Sequence, residues 1–389
     1  MNYAPIILLE LDRLERFSDK YKSELMLLSK NIRKKIWTDS GSPFLALLLR
    51  TINETFDFYF QDKSKIDLDV ICEIICILAK YGLLTNPTLD TEYYHKLLCD
   101  IHMENARVII GKKWDNILAA EEGSKSFIDT FGDVYDNCIN QQKGNFFHEL
   151  KNTDVLCRAV SGWGHDKARF IPWPNKTQNR WNPPGKTYLY LSFAEHNEQY
   201  DKSLSINEYI CLKELRAEEG KRNKYSTCLF QPINKGNILD LSYNDIELYE
   251  IDKQLDDYSD DIQNQIWNKL MSAPDKFELY KTNPRKLKNF IHNESKTRVD
   301  KNVIAHTTAQ RYLKMVCEVI YKKVDSTDEA EKEKQYRSFH ILSSFLETKG
   351  VTGIIYPCTR TRKIIGKNLV LFNPNDAVPI DNSIREIEF

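Results

Sequence analysis

The chain has 389 residues, with 55 basic and 56 acidic side chains and a formal net charge of −1. At 41% hydrophobic and 29% charged residues it is too apolar for a disordered chain, and it is long enough for two cores. Its 14 glycines and 13 prolines exclude collagen-like or low-complexity material, and no apolar run reaches the roughly 18 residues of a membrane span.

Residues 1–143 read as helical. Ile7, Leu11, Leu14, Tyr21, Leu25, Leu28 and Ile32 recur at steps of three, four or seven, the apolar stripe of one long helix. Gly41-Ser42-Pro43 breaks it. Further helices are expected over 43–60, 66–82, 91–108 and 124–142. Cys72 and Cys76 sit one turn apart in the third of these stretches, which suits a core face better than half of a zinc site. The short apolar piece at Ile6–Leu9 has no basic stretch before it and no cleavage site after it, so no secretory signal is expected. Nine scattered cysteines, an odd number, fit reduced thiols in a cytoplasmic protein.

The character changes near residue 143. Short β-rich runs follow at 155–160, 187–193, 226–231, 353–356 and 368–372, each bounded by Pro, Gly or Asn. Between them, Ile262/Ile266/Leu270, Tyr312/Val316/Val319 and Phe339/Leu342/Leu346 mark helices, the last stopping at Lys349-Gly350. The irregular mixture predicts an α+β second domain, 144–389, behind an all-α first domain, 1–143. The first part carries a net charge of −4 and the second +3. Neither value is basic enough to imply nucleic acid.

Phosphate-loop, dinucleotide-fold, zinc-protease and serine-hydrolase motifs are absent from the sequence. The eight histidines do not cluster at metal spacing, and no metal is expected. An Arg-x(4–6)-His pair of the ribonuclease kind occurs at Arg158–His165, outside the helical part, and is taken as chance.

The informative stretch is Asn179-Arg180-Trp181-Asn182-Pro183-Pro184-Gly185, followed by Leu189-Tyr190-Leu191-Ser192. An arginine before a rigid turn could fork onto a pyrophosphate, and Tyr190 could wall a flat ring. A tight hairpin with a surface arginine and a core tyrosine fits the same local pattern.

Together these motifs resemble the RES domain, a family of bacterial toxin–antitoxin pairs named for Arg, Glu and Ser. Arg180 matches the family arginine and Tyr190 its tyrosine. Cys211-Leu212-Lys213-Glu214 matches the segment of its glutamate, with Glu208 and Glu218 as fallbacks. Cys157-Arg158-Ala159 resembles the family's opening arginine. Residues 353–357 and 366–372 resemble its last motif, in which Cys358, followed by Thr359, replaces the serine. The resemblance spans about 150–375. It implies a fold related to ADP-ribosyltransferases and an enzyme that consumes NAD⁺ as substrate without a metal, cutting the nicotinamide–ribose bond as a toxin or antiphage effector. Glu214, Arg180 and Tyr190 would then be catalytic. Arg158, Arg180, Tyr190, Ser192, Cys358 and Thr359 would bind the dinucleotide. An antitoxin, a sensor protein or the first domain would restrain it; a homo-oligomer is a further possible partner, and no membrane or nucleic acid is expected. ADP-ribosyl transfer to a protein or nucleotide, and a degenerate non-catalytic interaction module, are the alternatives.

Overall fold

The computed structural model describes residues 109–389 apart from 175–178, 244–245, 322–328 and 362–365, together with 4–14 and scattered single residues before 109. Contacts divide the chain into two units, 1–108 and 109–389. In the first unit, helix α1 (Ala4–Leu14) buries Ile7 and Leu11 completely. Arg13 pairs with Glu10 at 2.9 Å, and Arg33 pairs with Asp12. The rest of the expected stripe, the helices over 43–60 and 66–82, Cys72 and Cys76 lie outside the described residues, as does most of 91–108.

The division falls at 108/109, earlier than the expected 143/144. The helical run over 124–142 is present, as α2 (Phe127–Val134) followed by a π turn and a 3₁₀ turn to Gln142. Its Ser126 and Asp129 form a reciprocal capping box. It belongs to the second unit because Phe127, Phe131, Tyr135 and Ile139 are buried in that unit's core.

The second unit mixes helices with a nine-stranded sheet. The strands are β1 (Phe147–His148), β2 (Val155–Ser161), β3 (Leu189–Ala194), β4 (Lys224–Pro232), β5 (Ile238–Asp240), β6 (Gly353–Pro357), β7 (Lys367–Leu371), β8 (Ala377–Pro379) and β9 (Arg385–Glu388). Their order is β1-β5-β6-β7-β3-β2-β4-β8, with β9 also on β4. Only the β5–β6 pair is parallel among the described residues. All five expected strands are present within a residue or two. The four short strands β1, β5, β8 and β9 were not expected; two to four residues carry too little alternation to register as a pattern.

Helix α3 (Ile206–Glu214) joins β3 to β4. After β5 come α4 (Leu248–Met271), α5 (Pro274–Thr282), α6 (Pro284–Arg298), α7 (Lys301–Ile320) and α8 (Glu329–Thr348). Alternation along the strands separates two faces. Ile354, Tyr356 and Val370 face a core built with Leu313, Val316 and Val319 of α7 and Phe339, Leu342 and Leu346 of α8. Leu189, Leu191, Ile355, Leu369 and Leu371 face a second cluster on the opposite side. Over β2, Cys211 and Leu212 of α3 cover Cys157 and Ala159. Among the described residues no helix is long and apolar enough to cross a membrane.

Candidate functional site

The pairing of β2 with β3 stops early. Val155, Leu156 and Cys157 face Ala194, Phe193 and Ser192. Beyond Cys157, β2 continues along β4 to Ser161 and β3 lies along β7 back to Leu189. Two central strands therefore splay apart, and a cavity of about 360 Å³ occupies the notch. Arg158 and Ala159 border it on one side, and Tyr190, Leu191 and Ser192 on the other. Helix α3 contributes Cys211 and Glu214, and helix α8 contributes Tyr336. Its size lies at the small end of the range for ligand pockets.

Arg180 reaches the cavity from a turn that is fixed on all sides. Trp181 is fully buried and packs edge-on against Phe339 of α8 at 5.0 Å. Its carbonyl accepts the Ser343 hydroxyl at 2.8 Å, and the Asn179 carbonyl lies 3.0 Å from His340 Nε2. The Trp181 N–H donates to the Tyr190 hydroxyl at 2.9 Å, and that hydroxyl donates to Asn182 Oδ1 at 2.8 Å. Arg180 itself lies over the Phe339 ring, 5.3 Å from its centroid. Trp181 and Asn182 are thus the scaffold of the turn, and Arg180 is what it presents. The segment is not a hairpin, since β3 pairs with β7 and β2.

Arg158 is largely buried in the notch, and that burial lowers the affinity of its guanidinium for the proton; Nη1 is buried and makes no hydrogen bond. Burial raises the Tyr190 hydroxyl well above its usual ionisation range, so it stays neutral. Ser192 is 1% exposed; its Oγ donates to the Cys157 carbonyl at 3.4 Å and accepts the Cys211 thiol at 3.2 Å.

Glu214 is the last residue of α3, which closes with the hydrogen-bond pair of a Schellman motif: Arg216 N–H to Lys213 O and Ala217 N–H to Leu212 O, both 2.9 Å. Glu214 Oε1 accepts Asn368 Nδ2 at 2.7 Å, and Oε2 lies 3.6 Å from Arg360 Nε. The two fallback glutamates are elsewhere. Glu208 caps α3, accepts from Thr227 and pairs with Arg385 at 2.8 Å. Glu218 is exposed and pairs with Lys221 at 2.5 Å.

Arg158, Arg180, Tyr190, Ser192 and Glu214 therefore line one cavity. Cys358 and Thr359 do not; Arg360 does. Cys358 is fully buried, and burial together with the Glu214 charge pushes its thiol up to about 12. His165 stands apart from Arg158, exposed and 3.6 Å from Glu386. Sequence reasoning also missed Arg216, Tyr336 and Asn368 as lining residues. Asn368 had a visible signal, an amide in the apolar run Lys367-Asn368-Leu369-Val370-Leu371. Among the described residues no group of three or more His, Cys, Asp or Glu could hold a metal ion.

Among the described residues four arginines line the cavity against one carboxylate, which makes it attractive to a polyanion. No protein-family model, no curated protein and no solved structure matches the chain.

Proposed function

We propose that the second unit is a RES-type enzyme with an ADP-ribosyltransferase-like site that cleaves the nicotinamide–ribose bond of NAD⁺. The observation that carries this reading is the meeting of Arg158, Arg180, Tyr190 and Glu214, from four separate segments, around one notch. Cleavage of an N-glycosidic bond builds positive charge on the ribose, in the manner of an oxocarbenium ion. Among the described residues, Glu214 is the one carboxylate lining the cavity. Beside the ribose it stabilises that charge and orients the acceptor. Arg158 and Arg180 bind the pyrophosphate, for which their planar donors are suited. Tyr190 keeps the Arg180 turn in place and walls the nicotinamide. Ser192 forms part of the floor. In the cell such an enzyme acts as a toxin or antiphage effector, restrained by a partner or by residues 1–108.

The test is NAD⁺ consumption by the purified protein, followed chromatographically, for wild type and Glu214→Gln. Wild type releases nicotinamide, and the variant loses at least about 100-fold in rate while keeping its thermal midpoint. Adenine-labelled NAD⁺ reads the acceptor in the same assay: label on macromolecules means transfer, and free ADP-ribose means hydrolysis. NAD⁺ left intact by wild type, or an equally active Glu214→Gln, overturns the proposal.

A further inference from the structure

Glu214 stands where a carboxylate is least favoured, at the negative end of a helix dipole. Its position against the cavity therefore depends on what reaches it from outside α3. Asn368 donates to Oε1 at 2.7 Å, Arg360 Nε is 3.6 Å from Oε2, and the buried, neutral Cys358 thiol also hydrogen-bonds the carboxylate, as a weak donor beside the amide. Asn368 is only 3% exposed, and a buried amide in an apolar strand is costly unless it is hydrogen-bonded. Its place is fixed by register, opposite Ser192 on β3 and Tyr356 on β6. It is fixed again by close packing two residues earlier: a Cβ on Gly366 would lie 2.1 Å from Ile210 Cδ1 of α3. The strand carrying Asn368 and the helix carrying Glu214 are thus pressed together where the amide meets the carboxylate.

We propose that Asn368 is the positioning residue of Glu214. It holds Oε1 by a charge-assisted hydrogen bond, so that the carboxylate keeps one orientation towards the ribose. The inference rests on the NAD⁺-cleaving reading of the site. Arg360, longer and farther away, neutralises Oε2 without a hydrogen bond and does not set the orientation.

The experiment is steady-state NAD⁺ cleavage by the full chain carrying Asn368→Ala and, separately, Asn368→Asp. The Ala variant removes the donor. The Asp variant keeps the size of the side chain but sets a second carboxylate against Glu214, where the two would share a proton. Both variants are expected to lose about 100-fold in kcat, with KM for NAD⁺ within about threefold of wild type. A residue that only fills space would leave kcat of the Asp variant near wild type, or would move KM together with the thermal midpoint. Either result in a folded variant overturns the inference while the NAD⁺-cleaving reading stands. A wild-type protein that leaves NAD⁺ intact overturns both.

Discussion

Trp181 and Tyr190 are joined by a 2.9 Å hydrogen bond from the backbone of one to the hydroxyl of the other, and the same hydroxyl donates to Asn182 Oδ1 at 2.8 Å. One phenol thereby ties the arginine-bearing turn to the strand that borders the cavity. Tyr190→Phe leaves the Trp181 N–H and Asn182 Oδ1 without that partner, at a cost of about 1–3 kcal/mol. The urea midpoint should fall accordingly, and NAD⁺ cleavage should fall with it because Arg180 is the next residue in the turn. An unchanged midpoint would show that the phenol is not the tie.

Glu208 and Glu214 lie six residues apart in the sequence and do different work. Glu208 is 4% exposed, caps α3 through Ser205 and receives Arg385 on both oxygens at 2.8 Å. Glu208→Gln should cost about 1–2 kcal/mol, the size of a lost cap and a half-exposed ion pair, and should leave the NAD⁺ cleavage rate per folded molecule unchanged. Glu214→Gln should do the reverse. Paired thermal melts and rate measurements separate them. A Glu208→Gln protein of normal stability and no activity would exchange the two roles.

The same pair shows what could be read from the sequence. Arg180, Tyr190 and Glu214 were legible because each lies in a motif of several adjoining residues. Those neighbours prove to be structural: Trp181 and Asn182 build the turn, and Leu212 is fully buried in α3. The notch itself was not legible. It arises where the β2–β3 ladder stops at Cys157–Ser192, and nothing in either strand's own pattern marks that point. The serine replacement misled in the same way. Cys358 is fully buried behind Glu214, which its thiol hydrogen-bonds, and the side chain that lines the cavity is Arg360, two residues later. Pairing and side-chain direction at the end of β6 depend on contacts with β7 and α3, which no local spacing encodes.

Alkaline pH should unfold the second unit progressively. Burial pushes the thiols of Cys317 and Cys358 from an ordinary value of 9.0 up to about 12, with the Glu214 charge adding to the effect at Cys358. Burial and Asp136 likewise push Tyr135 from 10.0 up to about 12. Below pH 9 both folded and unfolded chains hold these protons, and the stability is fully present. Above pH 9 the unfolded chain has lost thiol protons that the folded chain keeps. Stability then falls as pH rises, by about 1.4 kcal/mol per pH unit for each thiol and, above pH 10, for Tyr135 as well, until the folded groups titrate. Urea midpoints at pH 8 and 10.5 measure the slope. A flat profile would mean that these thiols and the phenol are not sequestered as described.

Arg216 holds a backbone conformation that glycine would hold more easily. Its φ is +61°, in the left-handed region, at the position of the Schellman motif where glycine is the usual residue. A non-glycine residue there costs about 1–2 kcal/mol, yet the side chain is exposed and lines the mouth of the cavity. Strain retained at a site is a sign that the side chain is used. Arg216→Gly should therefore raise the thermal midpoint by a few degrees, as relief of about 1 kcal/mol would. At the same time it should raise KM for NAD⁺ about tenfold, the cost of one lost phosphate contact, and leave kcat nearly unchanged. Stability and affinity moving in opposite directions in one variant is a result that a purely structural arginine could not produce. A variant that gains stability and keeps its KM would show that Arg216 makes no contact with the dinucleotide and leave Arg158 and Arg180 to hold the pyrophosphate.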